Sequence, residues 1–191
     1  MDTPWWHRPT DRWTRAGDVL RLLGLCSAIC APLRFGWVAT PLFALVVLGL
    51  ALLRLRDVPS SADPAGGAVL LAAGWFAILD LYARVPGLDL AVHFAAGGVV
   101  AHLALTIART AGVVRGYPQP SRAALALLGV SIALGLALGY VWELLEWAGH
   151  TWVDPRIHIP YADTMTDIAA GGLGAAAMGI VRLWVGERES K

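Results

Sequence analysis

Six times along its length the chain stays apolar for about 17–25 residues, close to the 20 or so that a helix needs to cross a hydrocarbon core of about 30 Å. The runs fall near 18–33, 37–53, 67–83, 88–108, 123–148 and 164–185. In lipid every backbone N–H and C=O must be satisfied within the spanning element, so such runs fold as helices. The composition agrees, with 57% hydrophobic residues, 15% charged residues and a mean hydropathy of +0.60. Soluble domains carry about 25% charged residues. The expected fold is an all-α integral membrane protein: a compact bundle of about six transmembrane helices over 18–185, with a membrane-surface anchor before it (1–17) and a short tail after it (186–191).

The charges are segregated. Twelve of the fifteen Arg and Lys fall in the N-terminal segment with Arg21, in the segments 54–67 and 109–122, and in the tail with Arg182 just before it; Arg34, Arg84 and Arg156 face the other side. The positive-inside rule then predicts a multi-pass inner (plasma) membrane protein with both termini in the cytoplasm. Trp5, Trp6 and Trp13 with Arg8, Arg12 and Arg15 form the anchor, where His7 reads as interfacial. Arg21, near the start of the first run, is expected to snorkel. Cys26 and Cys30 read as small packing residues, with no disulfide framework. Small residues spaced by four (Gly135 and Gly139, Gly171 and Ala175, Gly172 and Ala176, Ala175 and Gly179) predict close helix packing.

The chemistry concentrates at one end of the bundle. GYVWELLEWAGH (139–150) closes the fifth run and puts Glu143, Glu146 and His150 at i, i+3 and i+7 on one helix face. Negative charge is disfavoured at a helix C-terminus and costly at a membrane edge, so these groups need compensation from elsewhere. The topology brings it close: Asp80 with Arg84 at the end of the third run, Asp89 with His93 opening the fourth, and Asp163 with Asp167 opening the sixth. Asp89 and Asp163 also suit helix capping. Asp80 also suits a simple pair with Arg84. His93 could be a buried neutral imidazole. His102, Thr106 and Ser131 are the few polar groups deeper in, with His102 read as packing and His158 as a loop residue. Carboxylates with nearby imidazoles match what a divalent cation needs, or what proton carriage needs. The expected metal set is Asp89, His93, Glu143, Glu146, His150 and Asp167, with Glu143 and Glu146 as catalytic groups and Asp80, Arg84 and Asp163 in support.

The pattern Asp89–His93–Phe94 with Gly97, Glu143–Glu146–Trp147, and Asp163–Thr164–Asp167 with Gly171 and Gly174 resembles the YjdF-like bacterial inner-membrane proteins. More distantly it is similar to the VanZ-like group associated with glycopeptide resistance, from which it departs at Glu146 and at Ala170–Gly171. The resemblance, over about 75–180, implies an all-helical inner-membrane protein with a polar site, and implies no reaction.

Three functions fit these residues. One is a divalent-metal-dependent enzyme acting on a lipid or lipid-linked envelope substrate, the metal activating water or polarising a phosphoryl or acyl oxygen. Another is a small ion or proton translocator with carboxylate relays. The third is a non-catalytic envelope or assembly protein. Membrane lipids are the expected surroundings. Nothing in the sequence resembles a nucleic-acid reader.

Overall fold

The computed structural model describes residues 11–55, 62–114, 120–157 and 159–189. Trp5, Trp6, His7, Arg8 and His158, parts of the segments 54–67 and 109–122, and the end of the tail lie outside the described residues. The described residues form six helices: α1 Arg12–Phe35, α2 Ala39–Leu55, α3 Ala62–Ile78, α4 Leu88–Thr110, α5 Pro120–Trp152 and α6 Tyr161–Glu189. No strand occurs among the described residues. Four helices (α1, α4, α5 and α6) are long and apolar enough to cross a membrane, and α2 and α3 are shorter apolar helices of 17 residues. Large apolar side chains such as Ile29, Leu33, Leu125 and Leu173 stand exposed, as lipid-facing residues do. The protein is an all-α membrane protein.

The helices group into two compact units, residues 1–85 and 86–191. In the first, α1, α2 and α3 pack on one another around Ala31, Ala39, Phe43, Val46, Leu50 and Leu71. Trp75 lies edge-on to Phe43, with ring centroids 5.3 Å apart, and donates its indole N–H to Ser27 Oγ. Asp11 caps α1 by accepting from the Thr14 N–H, so the helix begins within the stretch read as an anchor. Cys26 and Cys30 are free and exposed rather than packed.

Arg21 does not snorkel. Its side chain, 15% exposed, binds Asp63 Oδ1 at 2.6 Å, Asp18 Oδ1 at 3.1 Å and the Leu50 carbonyl at 3.1 Å, while Arg54 reaches Asp18 at 3.2 Å. A buried guanidinium needs this because desolvation makes an unpaired charge costly. Asp63, expected in a loop, is therefore a buried residue of the first turn of α3. The apolar run read as 67–83 becomes a helix over Ala62–Ile78. Beyond it, Asp80 adopts a left-handed conformation (φ 56°) within turns that lead to Pro86.

In the second unit α4, α5 and α6 pack on one another. The α4–α6 contact is backbone against backbone: a Cβ at Gly97 would collide with Gly171, and one at Gly174 with the Phe94 carbonyl. Gly135 on α5 receives the Ala175 side chain, and Ser131 donates to the Ala175 carbonyl at 3.1 Å. Small residues allow this approach, which in lipid replaces the hydrophobic drive for helix association.

Candidate metal centre

Asp89 is the second residue of α4, whose N-cap is Gly87 in the left-handed region (φ 76°) with no side-chain cap. The carboxylate therefore does not cap the helix as anticipated. It turns instead to the next turn, where Asp89 Oδ1 stands 3.4 Å from His93 Nε2. Asp167 enters from α6, one turn inside its first residues, and is 3% exposed. It reaches His93 because the glycine contacts just beyond hold α4 and α6 at near-minimal separation. One donor atom from each of Asp89, His93 and Asp167 lies within 4.8 Å of the other two.

Glu143 and Glu146 come to this cluster from α5. Glu143 is 6% exposed, and the Thr164 hydroxyl lies against its carboxylate. Glu146 is half-buried and within electrostatic reach of Glu143, His93, Asp89 and Asp167. Asp163, third residue of α6, complements the helix dipole and faces Glu143 and Asp167 electrostatically. Among the described residues, two buried carboxylate oxygens, Glu143 Oε1 and Asp167 Oδ1, have no hydrogen-bond partner.

His150 lies apart from the three-donor group. Its Nδ1 is 2.7 Å from the Ile157 carbonyl, which ties the ring to the segment following α5. Arg84 and Arg156, basic residues read as lying on the same side as the cluster, pair with other carboxylates. Arg156 binds Asp154 at 2.7 Å, and Arg84 stands 3.8 Å from Asp80 with both side chains mostly exposed. Asp80 and Arg84 belong to the first unit. Their i, i+4 pairing appears as expected, on turns rather than on a helix.

The donor set is two carboxylates and an imidazole. Ligands at about 2.1 Å from an ion in tetrahedral or octahedral geometry stand about 3–3.5 Å apart, which the Asp89–His93 separation already matches. Sequence reasoning missed two polar clusters: the Arg21–Asp63 network, and a contact of Arg182 with Thr106. In both, an arginine inside an apolar run was the available signal.

A profile of the family described as "Predicted membrane protein (DUF2238)" matches residues 18–188, nearly the whole chain. The chain belongs to this family. The DUF2238 match spans all six helices and therefore includes Asp89, His93, Glu143, Glu146 and Asp167. No curated protein and no solved structure matches the chain significantly.

Proposed function

We propose that this DUF2238 protein binds a divalent cation through Asp89, His93 and Asp167 and uses it to act on a lipid or lipid-linked envelope substrate. The observation that carries the reading is the convergence of those three donors within 4.8 Å beside two buried carboxylate oxygens that lack partners. Buried polar atoms are rarely left unsatisfied. A cation would satisfy Asp167 Oδ1 and offset negative charge that, among the described residues, no arginine pairs with. Bound there, it would polarise a phosphoryl or acyl oxygen. Glu146 is outside the three-donor group yet close enough to feel it, so it is the residue assigned to accept a proton from an attacking water. Exposed Phe94 on α4 and Tyr140 and Trp147 on α5, close in sequence to His93, Glu143 and Glu146, suit an interfacial substrate. The YjdF-like resemblance agrees with the family, and the VanZ-like likeness carries no weight here. The basic-residue asymmetry supports both termini being cytoplasmic, which would put the site at the extracytoplasmic headgroup level of the inner membrane.

The test starts with elemental analysis of protein purified in detergent without chelator. One equivalent of metal is expected, together with a rise in Tm when Mg²⁺, Mn²⁺ or Zn²⁺ is added to stripped protein. A ligand at 100 times its Kd adds about 2.7 kcal/mol. Asp167→Asn should abolish the rise. Glu146→Gln should keep it while losing turnover of membrane lipid extracts followed by mass spectrometry. A metal-free preparation with a flat titration would overturn the metal site and leave a structural or proton-carrying cluster. Metal binding without turnover of any lipid fraction would overturn the catalytic part.

A further inference from the structure

The C-terminal ends of α4 and α6 carry a second polar cluster of opposite character. His102, Thr106 and Arg109 stand at i, i+4 and i+7 on one face of α4. Arg182 of α6 lies against that face. Its Nη1 donates to Thr106 Oγ1 at 3.0 Å and reaches the His102 carbonyl at 3.5 Å. Arg109 and Arg182 are close enough to act on each other electrostatically, and Arg182 acts likewise on the His102 ring. Both ring nitrogens of His102 are buried without a hydrogen-bond partner among the described residues. Among the described residues, neither arginine forms a salt bridge with a carboxylate. The contrast with the first unit is plain, since there Arg21 and Arg54 are balanced by Asp18 and Asp63.

We propose that this face, built on His102, Thr106, Arg109 and Arg182, binds the phosphate of an anionic phospholipid headgroup. Guanidinium groups only donate, and their fork matches phosphate oxygens. A phosphate diester between the two arginines supplies a negative charge that no described carboxylate gives them. The source is lipid because the cluster lies at the ends of two membrane helices. Exposed Ile180, Val181 and Trp184 on α6 offer apolar and interfacial surface beside it for acyl chains and glycerol. Basic pockets between transmembrane helices recognise anionic headgroups in this way.

The test reconstitutes the full chain in nanodiscs of phosphatidylcholine alone or with phosphatidylglycerol, and reads the Tm difference and the phosphatidylglycerol retained after detergent extraction. Wild type should melt higher with phosphatidylglycerol. Each of Arg182→Gln and Arg109→Gln should retain about fivefold less of it, as expected from about 1 kcal/mol per basic residue. Arg109 is exposed, so that variant keeps the reading testable if Arg182→Gln folds poorly. Arg156→Gln removes the same charge elsewhere and should behave as wild type. Equal retention by Arg109→Gln and wild type would overturn the site. An equal loss in Arg156→Gln would reduce the effect to net charge and overturn it too. If inorganic phosphate in phosphatidylcholine nanodiscs gives the whole Tm rise, the ligand is free phosphate and the lipid assignment fails.

Discussion

Arg21 of α1 and Asp63 of α3 lie 42 positions apart in sequence and meet at 2.6 Å inside the first unit. Gly17 makes room for them: a Cβ there would stand 2.7 Å from Asp63 Oδ2 and 2.8 Å from Arg21 Nη1. The pair is a buried ion pair with further partners, and such pairs are revealed by breaking one side at a time.

Asp63→Leu alone should therefore destabilise the protein by about 3–5 kcal/mol, because it leaves Arg21 buried with one exposed carboxylate in reach. The double variant Arg21→Leu, Asp63→Leu leaves the Asp18–Arg54 pair intact and should recover most of the loss. Denaturation in detergent, followed by circular dichroism, measures both. Equal losses in single and double variants would show that the pair contributes through packing alone.

Gly174→Ala should cost about 1–3 kcal/mol, since a Cβ there collides with the backbone carbonyl of Phe94 and forces α4 and α6 apart. Gly129→Ala, at a glycine with open space around its Cβ position, should be neutral or slightly stabilising. Thermal melting of the two variants side by side checks the contrast. The Gly174 variant should also lose any metal response, because Asp167 rides on the displaced helix.

Orientation is checked by cysteine labelling in intact cells of variants in which Cys26 and Cys30 are first replaced by alanine. With cytoplasmic termini, Pro155→Cys should react with an impermeant maleimide, and Ala111→Cys should react only after lysis. Both positions are exposed. The reverse pattern would place the carboxylate cluster at the cytoplasmic face.

Between α5 and α6, Asp154 accepts from the Arg156 side chain and backbone N–H, and these bonds hold its carboxyl down to a pKa of about 2. The sign follows from that depression: the stabilising contribution is complete above the unfolded value of about 3.9 and disappears as pH falls through about 2. Carboxyl-carbon NMR of Asp154 should show that low midpoint, and Arg156→Gln should return it toward the unfolded value.

The six helices were legible because each apolar run is a local property of the sequence. Their ends were less so. Asp63 sits among Pro, Ser and Gly and reads as loop until Arg21, far along the chain, is known to bury beside it. That partner pulls α3 to Ala62–Ile78, five residues earlier at each end than the run at 67–83. In the candidate site, Asp89 and His93 were readable as a pair because i, i+4 spacing on a helix is sufficient. Asp167 was readable as a member because the topology puts the starts of α4 and α6 together. The direction of His150 toward the Ile157 carbonyl depends on a loop conformation that spacing does not encode. The unpartnered nitrogens of His102 likewise depend on its neighbours in the fold, among whose described residues none supplies a partner.

The length of α5 has a consequence for the membrane around the protein. Its 33 residues rise about 50 Å, against a hydrocarbon core of about 30 Å, so the helix must tilt or stand proud of the bilayer. Glu143 and Glu146 occupy its last three turns, the part that enters or leaves the hydrocarbon as bilayer thickness changes. A thin membrane leaves that end among headgroups and water, and a thick one draws it into acyl chains. Hydrophobic mismatch thus becomes a control on how wet the two glutamates are, and lipid chain length a variable of the site itself.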